Sequence, residues 1–154
     1  MAQAPTTWIL TGSPENFAAT RERGYGLVGF KERRRRMALD VEVGDRVVFY
    51  LTRVGRFGAS VRVTSGVFED RAPVWPGKPG NPDPYPWRVE TEPEVVLDEE
   101  DWVDAEAVKD DLEHVRKWPA EHWRLAFQGQ LRAVSEHDAD VLLTALRAAA
   151  GVPA

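Results

Sequence analysis

The 154-residue chain contains no cysteine. Disulfides, thiol nucleophiles and zinc sites built on thiolates are thereby excluded. Histidine is scarce as well. His114, His122 and His137 are the full set, and their spacing matches no metal-ligand pattern. No apolar run is long enough to span a bilayer. No basic segment followed by an apolar core opens the sequence, so a secretory leader is not expected. A cytoplasmic protein without a membrane partner is the expectation. Internal repeats and composition breaks are also lacking, so residues 1–154 read as one domain with one core.

What is present is unevenly distributed. The net charge is −5, which does not suit a nucleic-acid binder as a whole; distribution matters more than the sum. Lys31 and Arg33 to Arg36 form a basic cluster interrupted by Glu32 alone, whereas Glu90 to Glu113 is acidic almost throughout. A basic patch on an acidic body can meet a phosphate backbone locally, although a charge run by itself is more often a solvated face. The acidic stretch is expected to lie away from any pocket that takes a phosphate chain.

The densest apolar pattern is Gly44 to Ser65. Arg46 to Leu51 and Phe57 to Thr64 are β-branched and aromatic, and a Gly-containing turn joins them as a β-hairpin. Upstream, Trp8 to Thr11 reads as a strand. Ser13 as N-cap with Pro14 at the first helical position starts a helix that ends at Gly24. Tyr25 to Phe30 is a Gly-rich strand, of the kind in which backbone closely approaches another group. Residues 32–39 read as a short basic helix with Met37 and Leu39 turned inward. Residues 73–86 hold six prolines and two glycines, bounded by Trp75, Tyr85 and Trp87. Proline at that density makes an extended or turning loop, and the aromatics give it something to bury. Arg88 to Leu97 alternates as a strand with an exposed face. Asp104 to Val115 reads as a helix, and Phe127 to Leu131 as a tight turn or short strand. The last helix runs from Ser135 to Ala149, with Ser135 and Asp138 as a capping-box variant.

These pieces, in this order, resemble the EVE-domain family. Trp8 to Phe17 (WILTGSPENF) is similar to the family's opening. Gly26 to Phe30 stands where its members carry a Gly-Val-Trp strand. Val43 to Tyr50 resembles the Gly-Asp-x-Val-x-Phe-Tyr strand, and Phe57-Gly58 through Ser65 the Phe-Gly-Gly strand ending in Val-Thr-Ser. Val74-Trp75-Pro76, Tyr85-Pro86-Trp87-Arg88 and Leu131 to Val134 look like its later signatures. The resemblance covers nearly the whole chain. It implies an α+β protein with a PUA-like fold, a strongly curved, partly open mixed β-barrel with flanking helices, related to YTH domains that hold a methylated base in an aromatic cage.

It also implies a site. Trp75 corresponds by motif to a cage aromatic. Val28 stands where relatives carry a second cage tryptophan, so Phe30, Trp8 or Phe57 is left to close the opposite side, each being at least as well suited to the core. Thr11, Ser13 and Arg88 are candidates for the base edge, and Tyr85 stacks or seals the loop. Lys31 and Arg33, Arg34, Arg35 and Arg36 are candidates for phosphates. No cofactor or metal is expected. The function expected is non-catalytic recognition of a modified base in DNA or RNA. One alternative is a small hydrolase of the ASCH type, whose Gly-x-Lys-x-x-Glu-x-Arg motif is matched at Gly29, Lys31 and Arg36 but carries Arg34 at the glutamate position. Another is a protein-interaction module that uses the aromatic loop.

Overall fold

The computed structural model describes residues 5–77, 79–80 and 83–151. Lys78, Asn81 and Pro82 of the Pro-rich loop lie outside the described residues, as do both chain ends. The strands are β1 (Thr7–Gly12), β2 (Leu27–Phe30), β3 (Arg46–Leu51), β4 (Arg56–Val63), β5 (Phe68–Glu69), β6 (Trp87–Val96), β7 (Val103–Asp104) and β8 (Leu131–Val134). The helices are α1 (Pro14–Glu22), α2 (Arg35–Ala38), α3 (Ala105–Val108), α4 (Glu113–Arg116) and α5 (Glu136–Ala149). The sheet runs β2-β6-β4-β3-β1-β8, with β5 paired to β6 and β7 to β4. Among the described residues only β1 and β3 pair in parallel, Thr7 lying opposite Arg46 and Gly12 opposite Leu51. The sheet curls into a half-barrel with helices outside, which is a PUA-like fold.

The β3–β4 hairpin lies mid-sheet because Val47, Val48, Phe57, Ala59 and Val61 are all fully buried. Two register shifts bend this region, each where one residue is extra. Between β3 and β4, Phe49 faces Ala59 and Tyr50 faces Phe57, so Gly58 is unpaired. A Cβ at Gly58 would lie 2.9 Å from Cζ of Phe17, so the bulge lets α1 seat its aromatic on the sheet. Between β4 and β6, Ser60 faces Val95 and Val61 faces Pro93, so Glu94 is unpaired. Proline lacks a ladder donor and is tolerated beside a bulge, and this one breaks the expected alternation: Pro93 is exposed while Glu94 turns half inward.

Glu94 is held there by charge. Arg46 binds its carboxylate through two nitrogens, at 2.5 and 2.9 Å. Arg62 adds an ion pair at 2.9 Å, and Ser60 Oγ donates at 2.9 Å.

Three expectations about local structure need correction. Leu39 is 51% exposed rather than inward; Ala38 is buried instead, because a 3-10 turn over Glu32–Arg34 precedes α2 and shifts the inward face. Asp104 to Val115 is not one helix. It breaks at Leu112, whose φ/ψ is extended, and α4 is then capped from outside, since the buried Asp138 carboxylate accepts from the amides of Glu113 at 2.8 Å and His114 at 2.9 Å. Asp138 therefore serves α4, while Ser135 Oγ caps α5 by accepting from Asp138 N at 3.2 Å.

Burial pushes the Glu94 carboxyl upward, but the hydrogen bonds from Arg46 and Ser60 and the charges of Arg46 and Arg62 outweigh it, leaving it below the usual glutamate range. A carboxyl so depressed stabilises the fold at pH above its unfolded value of about 4.3, and the contribution is lost as pH falls through the folded value. Glu94→Gln is therefore expected to cost about 1–3 kcal/mol at pH 7 and to flatten the acid limb of stability. Denaturant melts at pH 7 and pH 3 check this; equal differences at both pH values would contradict it.

Candidate nucleic-acid interface

Among the described residues the two edge strands of the half-barrel, β2 and β8, do not pair. A side chain spans the gap instead. The amide of Lys31, just past β2, donates to Gln130 Oε1 at 2.7 Å, and Gln130, just before β8, accepts from Thr11 N through its carbonyl at 2.8 Å. A cavity of about 770 Å³ opens along this seam, within the usual size range of small-ligand sites. It is lined by β1 and the start of α1, by Val28 and Gly29 of β2, by Lys31 and Arg33, by Gly129 and Gln130, and by Trp75, Pro76, Gly77, Pro79 and Tyr85 of the Pro-rich loop.

That loop is fastened from both sides. From below, Arg88 is 1% exposed and donates to three loop carbonyls: Nε to Tyr85 O at 3.0 Å, Nη2 to Ala72 O at 2.5 Å and to Pro84 O at 3.1 Å. Its guanidinium also lies 5.1 Å from the Trp75 ring centroid and pairs with Asp70 at 3.4 Å. Burial pushes the Arg88 pKa down, and Asp70 opposes that shift. From the side, α1 offers Asn16, whose Oδ1 accepts from Gly77 N at 3.0 Å and whose Nδ2 donates to Tyr85 Oη at 2.9 Å. Thr20 Oγ1 accepts from Trp75 Nε1 at 2.9 Å. Tyr85 holds a positive φ of 50°, where Asp83 Oδ1 accepts from its amide at 2.9 Å.

Gly29 decides where Trp75 sits. A Cβ there would be 2.4 Å from Trp75 Cζ3 and 2.9 Å from Tyr85 Cβ. The close backbone approach expected of the Gly-rich strand is thus to the loop aromatics, which meet edge to face with centroids 5.8 Å apart.

The other candidates divide. Val28 lines the cavity from its floor, although it is 1% exposed and part of the core. Thr11 and Ser13 line it too; Thr11 Oγ1 donates to Phe127 O at 2.8 Å, and Ser13 Oγ caps α1 by accepting from Asn16 N at 3.1 Å. Trp8, Phe30 and Phe57 are not walls. Phe30 and Phe57 are fully buried in the core, and Trp8 is turned away to donate through Nε1 to Asp45 Oδ2 at 3.0 Å. Arg88 does not reach the base edge, because its donors are consumed by the loop. The basic run is not one surface either: Lys31 and Arg33 line the cavity, Arg34 packs beside Gly129, Arg35 lies over the Trp87 ring, and Arg36 is exposed outside the lining. No residue from Glu90 to Glu113 lines the cavity.

Metal-ligand geometry arises twice among the described residues, at Glu113, His137 and Asp138 and at Asp98, Glu100 and Asp101. In the first group, Asp138 caps α4, Glu113 accepts from Ser135 Oγ, and His137 Nε2 donates to Asp111 O. The second is an exposed acidic turn.

A model of the EVE domain matches residues 6–145. The chain belongs to the EVE-domain family. Among curated proteins no match to the sequence is found. Solved structures share the fold at low identity. A Pseudomonas putida protein superposes with a TM-score of 0.59 at 14% identity, covering 90% of this chain and 98% of that one. The YTH domain of the Zygosaccharomyces rouxii MRB1 protein, in complex with N6-methyladenosine RNA, gives 0.64 at 14%, covering 100% and 92%. The Pho92 YTH domain, in complex with m6A, gives 0.64 at 11%, covering 96% and 86%. In this EVE domain Asn16, Thr20 and Gln130 are the positions that sequence reasoning passed over. Asn16 stands within the family's opening motif and could have been found there; Thr20 and Gln130 carry no local signal.

If Arg88 holds the loop, Arg88→Lys keeps the charge but loses the fork that serves three carbonyls. An expected loss of about 1–3 kcal/mol in stability should come with faster hydrogen exchange at the Gly77 and Tyr85 amides. Exchange at Gly77 unchanged from wild type would contradict the assignment.

Proposed function

We propose that this EVE domain binds a single nucleotide carrying a modified base, presented by an unpaired nucleic-acid strand, and performs no chemistry on it. The observation that carries this reading is the placement of Trp75 in the wall of the seam cavity, fixed by Gly29, Thr20 and Arg88. An aromatic ring fastened in a cavity large enough for a nucleoside offers a base a stacking face at little entropic cost, because Thr20 and Arg88 already hold the indole. A base inside a duplex cannot enter such a cavity, so the ligand is unpaired or extruded. The polar groups of Thr11, Ser13, Asn16 and Gln130 border the same space. Lys31 and Arg33 on the lining, with the acidic stretch absent from it, suit a ligand that carries phosphate.

Methylation fits this slot. A methyl group replaces a donor by apolar surface, worth roughly 0.8 kcal/mol when buried, and Val28, Phe49 and Leu10 supply apolar lining. The two YTH domains in complex with N6-methyladenosine ligands share the fold, which makes N6-methyladenosine the first probe. The hydrolase alternative would need an acid–base pair in the cavity. Glu15 is the one carboxylate among the lining residues, and Arg53 engages both its oxygens.

Titration calorimetry with N6-methyladenosine and adenosine tests the reading. Trp75→Ala should weaken binding by about 1–3 kcal/mol while the barrel stays folded. Gly29→Ala leaves the indole in place chemically but drives it from its seat, and should weaken binding as well. Trp75→Ala that unfolds the domain, or that binds as wild type does, would count against a base slot; Gly29→Ala with unchanged affinity would place the stacking face elsewhere.

A further inference from the structure

Beside the cavity, two guanidinium groups meet over one backbone position. A Cβ at Gly129 would lie 3.4 Å from Nη2 of Arg132 and 3.5 Å from Nη2 of Arg34, so the two Nη2 atoms are separated by no more than the sum of those distances. They come from opposite edges of the sheet. Arg34 follows β2 and Arg132 belongs to β8. Like charges brought this close repel unless an anion offsets them. Among the described residues neither arginine has a carboxylate partner. Glu32, the nearest acid in sequence to Arg34, pairs with Arg71 at 2.8 Å. Arg132 uses only Nε, donating to Gln128 O at 2.9 Å, and Nε of Arg34 is enclosed with no acceptor. Nη2 of each arginine therefore faces the side-chain-free surface of Gly129, which itself lines the cavity next to Gln130.

We infer that Arg34 and Arg132 form a phosphate seat over Gly129 for the phosphate of the nucleotide whose base occupies the adjoining cavity. Guanidinium matches a phosphate's paired oxygens through two parallel hydrogen bonds, and an anion between the two arginines removes the repulsion that the fold otherwise carries. The inference rests on the base-slot reading for its ligand, though the seat is a separate set of residues. It makes the domain a reader of nucleotides and strands over free nucleosides, and it singles out Arg34 from the rest of the basic run. Arg132 lies outside that run altogether.

The experiment uses the full chain and calorimetry with four probes: N6-methyladenosine, its 5′- and 3′-monophosphates, and inorganic pyrophosphate. At least one monophosphate is expected to bind about tenfold or more tighter than the nucleoside. Arg34→Gln and Arg132→Gln should each remove most of that advantage while leaving nucleoside affinity within about twofold. Arg147→Gln, an exposed change on α5, should alter neither. For a single-stranded oligonucleotide, each seat variant should also reduce the salt slope by about 0.7. Trp75→Ala separates the two ideas, since it should weaken nucleoside and monophosphate by the same factor. Failure of the nucleoside to bind, with pyrophosphate binding that still depends on both arginines, would sink the base slot and support the seat. Monophosphates no tighter than the nucleoside, or an advantage that survives both seat variants in proteins with wild-type melting temperatures, would overturn the seat.

Discussion

A buried arginine holds the functional face of this domain together. Arg88 lies in the strand between β2 and β5, where Gly29 pairs with it on one side and Phe68 on the other. Burying a guanidinium is expensive unless every donor finds an acceptor. Here the acceptors are the carbonyls of Ala72, Pro84 and Tyr85. A Pro-rich loop is short of amide donors for its own carbonyls, so a multivalent donor beneath it satisfies both partners at once. The guanidinium then lies against Trp75 at the distance of a cation–π contact. One side chain thus closes the loop and fixes the aromatic that the loop presents.

Backbone exceptions do the remaining positioning. Gly58 bulges so that Phe17 of α1 can dock, and α1 in turn supplies Asn16 and Thr20 to the loop. Gly29 yields its side-chain volume to the indole. The sheet stops short of closing, and Gln130 spans the gap with a single amide. The cavity exists because the barrel is incomplete at that seam, and both edges bring cations to it.

Much of this was legible from local signals. The Ser13–Pro14 helix start, the Gly44–Ser65 hairpin, the Ser135 cap and the close approach at the Gly-rich strand each follow from short-range chemistry, and each is present. Trp75 was singled out by resemblance, and it does line the cavity. The misses share one cause, which is long-range pairing. Arg88 looked like a ligand for a base edge from its place after Tyr85-Pro86 at the start of a strand; its acceptor at Ala72 is 16 positions away. Phe30 and Phe57 look the same in sequence as wall aromatics, and both are fully buried in the core. The helix expected from Asp104 to Val115 fails because Asp138, from another element, offers α4 a cap at its broken start. Gln130 and Arg132 meet Lys31 and Arg34 only when the sheet curls.

On the proposed function, the seam cavity takes a modified base against Trp75. A crystal structure of the protein saturated with N6-methyladenosine 5′-monophosphate tests it most directly. The base is expected inside the cavity with its ring stacked on the Trp75 indole and the methyl group toward the apolar floor at Val28. A base bound elsewhere, or a cavity left empty at saturating ligand while the nucleotide occupies another surface, would contradict it.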